Sequence, residues 1–483
     1  MMRCILLLIS INLCSLTFAQ DKWDLQRCVD HALQNNISIR QADIQARLAA
    51  MQYKQNTLQA YPAVDFSSNI GVNFGRSIDP TTNQFTTSQT LFNSFSIQAN
   101  VPIYQFNKIK NTVQASQFNA QAALAEVDKT KSDVVLNVAG AYLQALLSQE
   151  QVKIADIQVQ QTKEQLSVTR KKVAAGVLPE LNAVQLDAQL ASDSASYINA
   201  KMTVDQNLLQ LKAIINLDAG YIFEITTPSV ESIPTESLAD LEPESVYALA
   251  IKNLPHEMVN ELKVKSAEKS FWAAKTAFYP SIQAFAGLGT NFANPFQKIT
   301  SSNFLGTYQN TPFVTNVMGT NYPVLSPQFD FKHGTKSFGE IWKGYGDQIE
   351  QNFRQNVGIS ITVPIFNNGT TKIQYEQARL NYQTLVLQKE QAEQKFKQDI
   401  YLAYTQAIGS FQKFIASQKS AIAAQKAYLY ASKRYDLGLI STIDLITTQG
   451  NLFKASIQLV SAQYDYIFRL KILEFYKGQG IKL

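Results

Sequence analysis

Cysteine is nearly missing from this sequence. Cys4 and Cys14 lie within the first nineteen residues, and Cys28 is the only other one. A single thiol beyond that segment can close no internal disulfide and has no Cys-x-x-Cys partner for a metal. Cys28 reads as a small apolar residue packed on a helix. Histidine is almost as scarce: His31, His256 and His333 stand far apart, without metal-ligand spacing. No glycine-rich phosphate loop, no G-x-S-x-G elbow and no paired carboxylates on a shared alternating face are present. No cofactor, metal or catalytic residue is therefore assigned. A net charge of +5 over 483 residues, with no dense Lys/Arg run, excludes an argument for nucleic acid.

Long apolar runs are missing as well. After residue 19 no eighteen consecutive residues are apolar, which excludes a membrane-spanning helix there. The first nineteen, MMRCILLLISINLCSLTFA, combine a basic residue, a short apolar run and a small residue at Ala19. They read as a secretory signal peptide that is removed. Leu13 before Cys14 is too large for a lipid-accepting cysteine, so no lipid anchor is expected. An exported chain without a spanning helix is either soluble outside the cytoplasm or crosses a membrane as a β-barrel.

What is present is a repeat. AYP at 60–62 returns as FYP at 278–280, and VPIY at 101–104 as VPIF at 363–366. Pro102 and Pro364, Ala141 and Ala403, and Gly176 and Gly438 share one spacing along the chain. The extra length of the second half therefore falls between its two strands. The expected organisation is a first repeat at 20–225, a linker at 226–243 rich in proline and acid, and a second repeat at 244–483. Each repeat runs helix, strand, loop, strand, very long helix, glycine turn, helix.

Strands are expected at about 63–75, 92–103, 281–289 and 356–365. Val64, Phe66, Ile70 and Val72 alternate with Asp65, Ser67, Asn69 and Asn73. Phe95, Ile97, Ala99 and Val101 do the same, as do Val357, Ile359, Ile361 and Val363. Pro62, Pro102, Pro280 and Pro364 are placed at the strand–helix junctions, because proline ends one backbone regime where another begins. From Asn107 to Ala175 there is no proline and one glycine, Gly140. That predicts a helix of about 100 Å at about 1.5 Å per residue, too polar for lipid. It must stand in water against similar helices, with Ala-rich seams of coiled-coil type.

Strands with one apolar and one polar face suit a soluble sandwich or a barrel with lipid outside and water inside. Four strands cannot close around a lumen, and an open edge in lipid leaves backbone groups unpaired. In a membrane, several chains must share one barrel: two would contribute eight strands, three would contribute twelve. Residues 290–355, rich in Asn, Ser, Thr, Gly and aromatics, are expected as a long extracellular loop. Tyr61, Tyr104, Tyr279 and Phe366 flank the strand ends, either as an inner aromatic girdle or as packing against the helices.

The duplicated halves, the YP and VPI junctions, AYLQA/AYTQA, and the turns AAGVLPELNAVQLDAQL and RYDLGLISTIDLITTQGNL together resemble the TolC-like outer-membrane efflux family over essentially the whole mature chain. The resemblance implies an α+β membrane protein. Three chains would each contribute four strands to a twelve-stranded outer-membrane barrel, continued by a periplasmic α-helical barrel. It implies a passive homotrimeric duct that docks with a periplasmic adaptor and an inner-membrane transporter. Gly176, Val177, Leu178, Gly438, Leu439 and Ile440 would then contact the adaptor. Tyr435, Asp444, Thr447, Asn182 and Gln185 would line the periplasmic aperture. Family members carry an arginine and a second aspartate where this chain has Ile440 and Thr447, and an aspartate at Asn182. The aperture is therefore expected to be held by packing and neutral hydrogen bonds. A secreted coiled-coil structural or adhesion protein is the alternative, and a periplasmic enzyme has no motif to carry it.

Overall fold

The computed structural model describes residues 22–78, 85–87, 89–226 and 236–480. The expected signal peptide and residues 227–235 of the expected linker lie outside them. The chain divides into two units. The first, running through Tyr53, then Gln114–Phe271 and from Gln377 onward, is helical; the second, Lys54–Val113 and Trp272–Glu376, carries the sheets.

The helical elements begin with α1 (Leu25–Asn35) and α2 (Ile37–Leu58). Asp24 caps α1 by accepting from the Arg27 amide at 2.8 Å. Asn36 joins the two helices, its side chain accepting from the Ser38 amide and donating to the Ile214 carbonyl. Two long pairs follow the repeat. In the first half these are α3 (Lys108–Ala174) and α4 (Glu180–Ile215), of 67 and 36 residues. Between the halves lie α5 (Pro243–Asn253) and α6 (His256–Lys275).

The second unit holds β1 (Ala63–Asn73), the short β2 (Arg76–Ile78) and β3 (Phe85–Thr87), and β4 (Thr90–Tyr104). It continues with β5 (Ser281–Pro295), β6 (Gln297–Val317), β7 (Thr320–Thr335), α7 (Phe338–Ile341), α8 (Tyr345–Gln351) and β8 (Arg354–Thr362). The second long pair, α9 (Thr370–Asp436) and α10 (Thr442–Lys477), repeats the lengths of 67 and 36 residues.

In the helical unit, Trp23, Cys28, Val138, Tyr142, Leu146, Leu211, Ile215 and Phe475 form one buried cluster. Leu241, Val246, Ile400, Ala403, Leu470 and Leu473 form its counterpart in the second half. Trp23 bridges Ile225 in parallel, and the Tyr142 hydroxyl donates to the Thr226 carbonyl at 2.8 Å.

Burial pushes the Cys28 thiol up from 9.0 to about 12, with Asp24 adding to it. Burial likewise pushes the Tyr142 and Tyr464 hydroxyls up from 10.0 to about 12. All three stay protonated in the folded chain over a range where the unfolded chain has lost those protons. Stability should therefore fall as pH rises past about 9, and fastest between about 10 and 12. Thermal melts from pH 8 to 11 test this: a melting temperature flat to pH 11 would refute it, and Cys28→Ala should delay the onset.

In the second unit one sheet has the order β1-β4-β5-β8, antiparallel throughout. Registers Ala63↔Asn100, Asn100↔Phe285 and Phe285↔Gly358 put every chemically alternating strand in phase. Val64, Phe66, Ile97, Leu288, Val357 and Ile359 share one face, and all are exposed. Val357 is 85% exposed. The opposite face is mainly polar, with Phe92 and Phe285 the large apolar side chains on it and the Ser67 and Ser96 hydroxyls bonded at 2.7 Å. The sheet's two charged residues, Asp65 and Arg354, both lie on this polar face.

At the far end of the strands the apolar face carries Asn93, Thr290 and Asn294, which break the alternation. The α7–α8 segment covers them. Asn93 donates to the Tyr345 hydroxyl at 3.0 Å, Thr290 to the Ile349 carbonyl at 2.6 Å, and Asn294 to the Ile341 carbonyl at 2.6 Å. Phe292 stacks on Trp342 beside them.

Several boundaries differ from expectation. β5 runs six residues beyond Gly289, to Pro295, and residues 297–335 form a hairpin rather than a loop. Pro62 and Pro280 do precede β1 and β5 directly. Pro102, however, lies inside β4 at a bulge, and Pro364 lies beyond the end of β8. The turn into the long helices falls instead at Phe106–Asn107 and Asn368–Gly369, all four with positive φ. Phe106 packs there between Tyr104 and Tyr279, at 4.8 and 5.1 Å between ring centroids. Tyr61 and Phe366 are exposed.

Candidate functional site

The turns between the long helices are built alike. Gly176 and Gly438 have φ of 70° and 72°, a left-handed conformation that costs a side chain strain. The Gly176 amide donates to the Val173 carbonyl, and the Val177 amide to Lys172. In the second half Gly438 donates to Tyr435 and Leu439 to Arg434. These paired bonds satisfy the last carbonyls of α3 and α9 and stop both helices. Pro179 then starts α4, and Ser441 starts α10 with a capping box.

That capping box decides the state of Asp444. Its Oδ2 accepts from the Ser441 hydroxyl at 2.7 Å and the Ser441 amide at 3.2 Å, while Ser441 Oγ accepts from the Asp444 amide. The carboxylate faces the positive end of α10 and is already half occupied. Thr447 is exposed, and its hydroxyl donates back to the Ile443 carbonyl at 2.8 Å.

Tyr435 is buried, 3% exposed, against Ala431 and Leu445. Its hydroxyl lies 3.2 Å from the Thr169 hydroxyl of α3 and 3.2 Å from the Thr442 hydroxyl of α10. Lys172 Nζ sits 5.8 Å over its ring and 3.7 Å from the Asp436 carboxylate. One phenol thus joins the two helix pairs at their turns.

Further up α3 a second polar layer makes the same connection. Thr162 donates to Asp193 Oδ2 at 2.6 Å, and Gln449 of α10 donates to the Thr162 hydroxyl at 2.8 Å. Gln189 donates to the other Asp193 oxygen at 2.8 Å. Thr162, Gln449 and Asp193 are all buried. Asp193 is therefore held by neutral donors, which makes the layer geometrically specific.

Between the two turns lies a groove of about 1020 Å³. Leu178, Asn182 and Gln185 line one side; Gly438, Leu439, Ile440 and Asp444 line the other. Of the expected site residues, the structure brings these seven to one groove. Tyr435 is buried behind Ala431 and Thr442 of that lining, while Gly176, Val177 and Thr447 are not among its lining residues. Thr162, Thr169, Asp193 and Gln449 were missed by the sequence reading. Their signal was a polar stripe at Gln158, Thr162, Gln165 and Thr169, at three- and four-residue spacing on a face that is otherwise a seam. Among the described residues no His/Cys/Asp/Glu group is placed to hold a metal.

A family model described as outer membrane efflux protein matches residues 28–217 and 327–478. The probable outer membrane lipoprotein SilC of Salmonella typhimurium is 23% identical over 443 residues, 91% of this chain and 82% of that protein. Outer membrane protein TolC of Escherichia coli is 22% identical over 376 residues, covering 77% and 67% respectively. Among solved structures, CusC superposes with a TM-score of 0.72 at 18% identity, over 94% of this chain and 92% of that one. The Campylobacter jejuni CmeC outer membrane channel gives 0.71 at 18% identity, over 95% and 86%. These two solved structures share the fold of this chain.

Proposed function

The chain belongs to the outer membrane efflux protein family, and from that premise we propose that three copies close one barrel and one helical tunnel, forming a passive exit duct. The observation that carries this reading is the four-stranded sheet with two open edges and an exposed apolar face. In water that face is a liability, and in lipid the open edges are. Closing β8 of one copy onto β1 of the next removes both problems at once. The Asp65 and Arg354 face then lines the lumen, and the α7–α8 aromatics Trp342 and Tyr345 form the outer girdle.

The expected repeats at 20–225 and 244–483 each supply one hairpin of the barrel and one long helix pair. The equal lengths of those pairs support that division. The groove between the turns is proposed to receive a periplasmic adaptor protein, with Leu178, Leu439 and Ile440 as its apolar contacts. An inner-membrane transporter would supply the energy, leaving this chain a transport role without catalysis. Nothing in the groove's composition selects an exported substrate. The coiled-coil structural alternative leaves the exposed sheet face unexplained.

Two measurements test the reading. Detergent-extracted membranes should yield a particle of three chain masses that conducts ions in planar bilayers. A soluble periplasmic monomer would overturn it. The capped state of Asp444 further predicts that divalent cations block conductance weakly and that Asp444→Asn changes block little. Strong block abolished by Asp444→Asn would instead establish an acidic ring at the aperture.

A further inference from the structure

The β6–β7 hairpin has no place in the duct as described. Its strands of 21 and 16 residues pair only with each other, apart from the four-stranded sheet. The family match breaks off at 217 and resumes at 327, so β6 lies outside it, as do α5, α6 and β5, and the match re-enters within β7. From Ile299 to Phe329 no residue is charged. The turn is Met318–Gly319, with φ of 52° and 85°, the two-residue geometry that suits strand twist.

The register sorts its side chains. Phe304↔Phe329, Tyr308↔Pro327, Asn310↔Leu325 and Val314↔Pro323 share one face. Phe304 and Phe329 rings lie 5.8 Å apart, and Tyr308 packs on Phe304 at 5.4 Å. Yet Phe304, Tyr308, Val314, Leu325 and Phe329 are all exposed. The opposite face pairs Asn303↔Asp330, Gln309↔Ser326 and Thr315↔Tyr322, with Val324 beside them. There Gln328 bonds Gln309 at 2.9 Å and Thr307 at 3.2 Å. A two-stranded ribbon with one apolar face is marginal in water unless something covers that face.

We propose that the occupant is the same face of the other copies, so that the hairpins converge on the symmetry axis as a collar outside the barrel mouth. The proposal rests on the shared-barrel reading, and four observations carry it. The hairpin follows β5 after Phe296 alone, and Lys336 N donates to the Phe296 carbonyl at 2.8 Å. Lys298 also pairs with Glu340 of α7, so the base is tied to the sheet that must meet its copies. Pro312, Pro323, Pro327 and three register shifts blunt the strand edges, which disfavours adding a strand and leaves the face as the contact. Finally, the absence of charge removes the repulsion that identical faces would otherwise suffer at an axis. It equally removes the charge complementarity that an ionic headgroup layer or a charged partner would use.

Single cysteines test this, because Cys28 is buried and the parent chain serves as the silent control. Tyr308→Cys and Leu325→Cys lie on the apolar face; Gln309→Cys and Ser326→Cys lie on the polar one. Oxidation of intact membranes should give disulfide-linked pairs from the first two, with loss of labelling by a membrane-impermeant maleimide, and none from the second two. Free labelling at all four positions overturns the proposal, since the hairpin then stands alone. Protection of the apolar face without cross-links also overturns it and points to lipid or a foreign protein. Equal cross-linking from both faces overturns it as random collision. Light scattering on the same particles separates the premise: a mass below three chains overturns the shared barrel, and the collar with it.

Discussion

Replacing Tyr435 with phenylalanine should leave the channel folded and shift it toward the open state. The substitution keeps the ring against Ala431 and Leu445 but removes the hydroxyl that meets Thr169 and Thr442. Those two threonines are 0% and 2% exposed, so their hydroxyls lose a partner that water cannot replace. An unsatisfied buried polar group costs about 1–3 kcal/mol. If the tie exists only in the closed arrangement, the closed-to-open ratio falls roughly 5- to 150-fold. The Thr169 hydroxyl, inside α3, can turn back to a carbonyl one helical turn earlier, which favours the lower end of that range; Thr442, the first residue of α10, has no such turn before it. Open probability in planar bilayers is the measurement. Thr447→Ala is the control, because its exposed hydroxyl bonds only within α10 and its loss should be silent. An unchanged open probability for Tyr435→Phe would remove the phenol from the gate, leaving it a packing residue.

The second large effect lies far from the turns in sequence. Lys471 and Glu474 of α10 form an ion pair at 2.8 Å, with side chains 3% and 7% exposed. Glu474 also accepts from the Glu236 amide at 3.0 Å, fixing the chain that enters α5. Lys471→Ala would strand a buried carboxylate. Breaking one side of such a pair costs about 3–5 kcal/mol, and because the unfolding entropy of a chain this long is about 1 kcal/mol/K, the melting temperature should fall by roughly 3–5 °C. The double replacement Lys471→Met, Glu474→Leu should recover most of the loss, because it removes both charges and fills the space. If the single variant melts within about 1 °C of the parent, on the same scaling, the pair is effectively solvated.

How much of this was legible beforehand varies with the range of the interactions. The strand alternation at Val64–Val72 and Val357–Ile361 was readable because period two is a property of the backbone itself. The long helices were readable because a proline-free, nearly glycine-free stretch leaves few other regimes. Gly176 and Gly438 were readable because a left-handed residue is needed to stop a helix in a tight turn. The prolines misled at two positions. Pro102 is tolerated inside β4 because it sits at a bulge near the strand's end, so it did not mark the chain reversal. The reversal used Phe106–Asn107 and Asn368–Gly369 instead, and a phenylalanine with positive φ has little sequence signal.

By itself, then, the sequence determined the repeat, the helix–strand order outside residues 290–355, the positions of both glycine turns and the amphipathic character of three of the four sheet strands, the fourth being interrupted by Phe285. Each follows from neighbours along the chain. Only the tertiary structure decided that Tyr435 meets Thr169, that Thr162 links Asp193 to Gln449, and that Asp444 serves its own helix as a cap. It also decided that residues 297–335 fold as a hairpin with one apolar face. Those outcomes depend on which surfaces are pressed together across hundreds of residues. A hydroxyl or carboxylate has several partners of similar energy available locally, and burial between particular helices selects among them.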